Sequence, residues 1–112
     1  MKIIDKPWGR EIWVAHCDDY ALKIIEFNQG ARSSLQYHQH KHEHIYVDSG
    51  LLKMELEQAD GTMSVGEYGP GTVFEVVPNR KHRVEALQDV RLIEVSTPQL
   101  DDVVRVEDDY VR

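Results

Sequence analysis

Apolar and polar positions alternate along most of this chain in short runs, and turn residues separate the runs. Residues 11–15 and 20–27 each read as a strand, with Cys17-Asp18-Asp19 as the turn between them and Asn28-Gln29-Gly30 closing the second. Residues 33–40 and 43–47 follow, then the turn Asp48-Ser49-Gly50. Residues 51–57 run to Asp60-Gly61, a tight-hairpin dipeptide. Residues 62–65 lead into Gly66-Glu67-Tyr68-Gly69-Pro70-Gly71, the richest turn cluster, and 72–77, 83–87 and 90–96 complete the set. Strands at a spacing of roughly ten residues predict an all-β sandwich or barrel rather than βαβ units. No stretch carries the three-and-four apolar repeat of an amphipathic helix. Residues 101–110 leave room for a short C-terminal helix. With no internal repeat, low-complexity linker or composition break, a single domain over 1–112 is expected.

One polar column interrupts this pattern. If residues 34–40 form a strand, Ser34, Gln36, His38 and His40 share one face while Leu35 and Tyr37 share the other. Four of the six histidines (His38, His40, His42, His44) fall within seven residues, with Glu43 among them. Imidazoles at i and i+2 of a strand can reach one ion, and Glu43 follows after a short turn. His82 is the remote histidine left to complete a set of four; His16 lies upstream beside a turn. Imidazole and carboxylate donors suit Zn, Fe, Mn, Ni, Co or Cu. The competing reading is a run of surface histidines that holds no ion.

Composition narrows the rest. Apolar residues make up 41% of the 112, enough for a core, and charged residues make up 29%, as in a folded soluble domain. The net charge of −7 argues against nucleic acid as the main partner but leaves room for a phosphorylated small molecule held by a few cations. A single cysteine, Cys17, permits no internal disulfide and suits a reducing compartment. The N-terminus lacks the apolar run of a signal peptide, and no stretch approaches a membrane span. A cytoplasmic location without membrane contact is therefore expected.

Two stretches resemble the cupin signature. The first runs from Gly30 through His38-Gln39-His40-Lys41-His42-Glu43 to Gly50, and the second from Gly71 through Pro78 to His82. More narrowly, the chain is similar to the cupin domain of type II mannose-6-phosphate isomerases, often the C-terminal part of bifunctional mannose-1-phosphate guanylyltransferases. The matching motifs are Lys6-Pro7-Trp8-Gly9, Ser34-Leu35-Gln36-Tyr37-His38, Glu43-His44, His82-Arg83-Val84-Glu85, Ile93-Glu94-Val95 and the tail from Asp101 to Arg112. Lys41 or His42 stands where that family has an arginine, and Ile45 where it has a tryptophan. The guanylyltransferase portion has no counterpart in these residues.

The resemblance implies a cupin-type double-stranded β-helix, or jelly-roll barrel, that holds one divalent transition metal (Zn, Mn, Fe, Ni or Co) through His38, His40, Glu43 and His82. It implies an aldose–ketose isomerase acting on a sugar phosphate, and a homodimer. Glu94, Lys23 and Gln36 are then the catalytic candidates, and Ser34, Arg105 and Arg112 the substrate contacts. Arg105 and Arg112 could equally pair with the nearby Asp101, Asp102, Asp108 and Asp109. Trp8, Trp13 and Tyr46 read as packing residues. Cupins also host dioxygenase and lyase chemistry, and a non-catalytic sugar- or small-molecule-binding module is a third possibility.

Overall fold

The computed structural model describes residues 1–110. Eleven strands follow one another: β1 Lys2–Lys6, β2 Gly9–His16, β3 Ala21–Phe27, β4 Leu35–Tyr37, β5 Glu43–Ser49, β6 Leu52–Glu57, β7 Met63–Tyr68, β8 Val73–Val76, β9 His82–Ala86, β10 Val90–Ser96 and β11 Val104–Glu107. They form a six-stranded sheet, β1-β2-β3-β10-β5-β8, and a five-stranded sheet, β11-β4-β9-β6-β7. Every pairing is antiparallel. The all-β jelly-roll expectation is met, and no described residue is helical.

Residues 101–110, which left room for a helix, instead contain β11. Its Val104 and Arg105 pair with Tyr37 and Gln36 of β4. Buried Arg83 fixes this end: its guanidinium donates to the carbonyl of Ser33 at 3.0 Å and to that of Glu107 at 3.2 Å. The N-terminal segment, unassigned from sequence, pairs as β1 along β2. Tyr46 was expected in the core and is 42% exposed. Alternation is the reason: Glu43, Ile45 and Val47 face inward, so Tyr46 faces out.

Four strands lay polar residues at one end of the interior and apolar residues at the other. Reading inward positions only, β3 gives Lys23, Ile25, Phe27, and β10 gives Glu94, Leu92, Val90. In the same sense β5 gives Glu43, Ile45, Val47, and β9 gives His82, Val84, Ala86. The apolar ends join Trp8, Leu52, Met54, Phe74 and Val76 in one core, where Trp8 stacks on Phe27 at 4.1 Å between ring centres. The antiparallel registers bring the polar ends together at the opposite end of the barrel. Gly50 makes the turn from β5 to β6 at φ +88°, and a Cβ there would lie 2.1 Å from the backbone oxygen of Asp89. Only glycine meets both conditions without moving backbone.

Candidate metal centre

The polar ends line a cavity of about 460 Å³. Deepest in it, Glu43 is 1% exposed and His38 and His82 are each 3% exposed. Nε2 of His38 and Nε2 of His82 both lie 3.4 Å from Glu43 Oε1. His38 Nδ1–H donates to the carbonyl of Asp102 at 2.5 Å, and His82 Nδ1–H to that of Arg80 at 3.0 Å. A carbonyl only accepts, so Nδ1 carries the proton in each ring. Burial, against the pull of Glu43, holds His82 below its ordinary value. With Nδ1 committed to a carbonyl in each ring, both Nε2 atoms face one carboxylate oxygen, an arrangement that a cation between them would satisfy. His38 Nε2 is in fact a buried polar atom without a hydrogen-bond partner. Two imidazoles and a carboxylate, each oriented by a second hydrogen bond or ion pair, fit a divalent transition metal.

His40, expected as the fourth ligand, is exposed and is not among the donors this structure brings together. β4 ends at Tyr37, so the alternation that aligned Ser34, Gln36 and His38 does not reach residue 40. The Asp102 carboxylate instead accepts three consecutive amides, from Gln39 at 3.0 Å, His40 at 2.7 Å and Lys41 at 2.9 Å. These donors outweigh desolvation and hold the Asp102 carboxyl below its usual value. The turn they stabilise sends His40 to solvent and Lys41 inward, to 4% exposure.

Lys41 Nζ lies 3.2 Å from Glu43 Oε2 and 3.6 Å from Glu94 Oε2. Glu43 therefore works on two sides, one oxygen toward the histidines and the other toward an ammonium. Burial first, then the charge of Glu43, holds Glu94 well above the carboxylate range. Burial opposes ionisation of Glu43 too, but the neighbouring Glu94 carboxyl and the charge of Lys41 hold it well below that range. Glu94 is thus the protonated partner and Glu43 the ionised one. Burial works against the Lys41 charge, and Glu94 and Glu43 outweigh it, so its amine is held above its ordinary value.

Of the other sequence candidates, Lys23, Gln36 and Arg105 line the cavity beside Glu94. Lys23 pairs with Glu94 in register and makes a buried ion pair with Glu11 at 3.1 Å. Ser34 is placed behind Gln36. It is 1% exposed and does not line the cavity; its hydroxyl donates to Gln36 Oε1 at 2.7 Å, so it orients Gln36. Arg105 keeps a distant pairing with Asp108, 3.9 Å away. Arg112 lies outside the described residues. Sequence reasoning missed Lys41, Glu11, Asp102, Lys2 and Lys6. Alternation along β1 and β2 (Lys2, Ile4, Lys6; Glu11, Trp13) is the signal that could have found three of these, Lys2, Lys6 and Glu11.

Comparison with known proteins adds the following. The sequence matches the family described as mannose-6-phosphate isomerase C-terminal over residues 2–108. A "Putative mannose-1-phosphate guanylyltransferase" of Vibrio cholerae serotype O1 is 29% identical over 106 residues, 92% of this chain. The chain spans 22% of the length of that relative. KdgF from Halomonas sp. superposes with a TM-score of 0.78 at 25% identity, over 90% of this chain and 91% of KdgF. Bacillus subtilis oxalate decarboxylase, studied for its Mn(II) centres, superposes with a TM-score of 0.80 at 22% identity, over 95% of this chain and 30% of the decarboxylase. At that identity the likeness is one of fold.

Proposed function

Because this chain belongs to the mannose-6-phosphate isomerase C-terminal family, we propose that its cavity is a metal-assisted isomerase site for a sugar phosphate. The observation that carries this reading is the lining of the cavity. Five cationic side chains, Lys2, Lys6, Lys23, Lys41 and Arg105, line it alongside Glu11, Glu43, Glu94 and Asp101; Lys23 and Lys41 pair with Glu11 and Glu43, so Lys2, Lys6 and Arg105 are the cations set toward an anionic ligand. An anionic ligand is the natural complement of such a concentration. Lys2 is exposed and Lys6 half-buried, whereas Lys23 and Lys41 are buried near the histidines. The phosphate is therefore assigned to Lys2, Lys6 and Arg105, and the reacting carbons to the deep end.

Aldose–ketose isomerisation moves one proton between C1 and C2 and needs the adjoining oxygens polarised. A divalent ion held by His38 Nε2, Glu43 Oε1 and His82 Nε2 would supply that polarisation. Glu94 is the acid–base group: in its ionised form it would take the C2 proton of the aldose, and in the protonated form that burial and Glu43 favour it would return that proton to C1. The Lys23 ammonium, fixed by Glu11, donates to a substrate oxygen. Gln36, oriented by Ser34, holds a hydroxyl. The test is conversion of mannose 6-phosphate to fructose 6-phosphate by protein loaded in turn with Zn, Mn, Fe, Ni and Co. Turnover with at least one metal is expected, and none with any metal overturns the reading. Two histidines and one carboxylate also form the ligand set of non-haem iron oxygenases, which favours a dioxygenase as the second reading. Oxygen consumption with Fe(II) distinguishes it.

The partner we assign is a second copy of the chain. On the outer face of the six-stranded sheet, one cross-strand row runs Ile3, Ile12, Ile24, Ile93, Tyr46, Val73, one residue from each strand. Ile3, Tyr46 and Val73 are 56%, 42% and 58% exposed, so the row meets solvent with no charge along it. Two such faces can bury each other about a two-fold axis. Sedimentation velocity should show a dimer for the natural chain and a monomer for Tyr46→Lys/Ile93→Lys. A natural chain that sediments as a monomer refutes the assignment.

A further inference from the structure

Three more donors converge on the outer face of the six-stranded sheet, away from the cavity. His42 and His44 flank Glu43 in the chain but are 40% and 50% exposed in their side chains, whereas Glu43 is buried. Strand alternation forces this for His44, whose cross-strand partner on the edge strand β8 is Glu75. His42 is pinned just before β5: its amide donates to Thr97 Oγ1 at 3.0 Å, and its carbonyl accepts from the Thr97 amide at 3.0 Å. His42 Nε2 lies 2.8 Å from Glu75 Oε2, and His44 Nε2 lies 3.7 Å from the same oxygen. The two rings stack with centres 5.6 Å apart and planes 28° apart. One donor atom from each residue falls within a 4.8 Å group. None of the three lines the cavity.

A hydrogen bond from His42 to Glu75 accounts for one imidazole only. His44 Nε2 faces the same oxygen from beyond hydrogen-bond distance, and one cation can serve all three donors. Imidazole donors with one carboxylate select borderline transition metals and leave hard ions such as Mg or Ca aside. We propose that His42, His44 and Glu75 form a second divalent transition-metal site, independent of the cavity and specific for ions such as Zn, Ni or Cu. It takes water in its remaining positions. An ion there ties the edge strand β8 to β5 on the face opposite Glu43.

The test is titration of the tag-free full chain with Zn(II) and with Ni(II), followed calorimetrically. Two equivalents are expected for the natural chain, the outer one with a dissociation constant below ~100 µM. Both His44→Asn/Glu75→Gln and Glu43→Gln should retain one equivalent, and circular dichroism should be unchanged for the first, whose residues are exposed. Cu(II) bound to Glu43→Gln should show nitrogen hyperfine splitting that His44→Asn removes. The site is overturned if the outer equivalent survives in His44→Asn/Glu75→Gln or is lost in His16→Asn or His40→Asn. Binding weaker than the stated limit is an adventitious ion only and equally overturns it. A single equivalent that only Glu43→Gln abolishes refutes the outer site and leaves the cavity reading standing. A single equivalent that only His44→Asn/Glu75→Gln abolishes does the reverse.

Discussion

Glu43→Gln is expected to abolish high-affinity metal binding in the cavity, with a loss of at least ~10³-fold in affinity and in any isomerase turnover, whereas His40→Ala leaves both within about twofold. The asymmetry follows from position. Glu43 Oε1 is 3.4 Å from both Nε2 atoms, and no other carboxylate belongs to that donor group. His40 is exposed, and what it gives the site is a backbone amide to Asp102, which alanine keeps. His38→Ala and His82→Ala should behave like Glu43→Gln. The pH dependence has a definite sign. Because burial holds His82 below its ordinary value in the folded chain, protons compete for its Nε2 only at a pH lower than an ordinary histidine would require, and cavity affinity should decline only there. Metal analysis by mass spectrometry after dialysis reads the outcome. A His40→Ala protein stripped of cavity metal, with Glu43→Gln still loaded, would reverse the ligand assignment.

The second large effect is on stability. Lys41→Met should destabilise the metal-free chain by about 3–5 kcal/mol, because it leaves the ionised Glu43 buried beside no ammonium. Glu94→Gln should cost no more than about 1 kcal/mol, since Glu94 is already protonated and glutamine keeps its shape and a donor. Turnover should show the opposite ranking for Glu94→Gln, which removes the group that carries the proton. Saturating metal should narrow the Lys41→Met deficit, because a cation on Oε1 replaces part of the lost charge. Urea unfolding at pH 7, with chelator and with Zn(II), measures all three. A Lys41→Met deficit under about 1 kcal/mol would mean that the Lys41 ammonium is not seated against Glu43 and Glu94.

These two predictions also mark where the sequence stopped. Strand periodicity found nine of the strands, because two-residue alternation between a core face and a solvent face is written locally. β10 was bounded residue for residue, and β5 and β6 within two. It missed β1 and β11, whose Lys2–Lys6 and Val104–Glu107 are edge strands with weak alternation and gain their structure from pairing with β2 and β4. His38, Glu43 and the late His82 were legible as a metal-type set, and Glu94, a catalytic candidate there, is 5% exposed.

By itself the sequence determined an all-β chain, its strand spacing, its family and a set of metal-type donors. Which donors meet was decided by tertiary structure. A carboxylate 61–63 residues downstream, Asp102, accepts three consecutive amides in the turn that leaves His40 exposed and Lys41 buried. The proton on Glu94 depends likewise on Glu43 and Lys41, brought to it by the β10–β5 pairing and that same turn. Local alternation cannot carry such information, because a side chain's charge and direction at a buried site are set by neighbours distant in the chain.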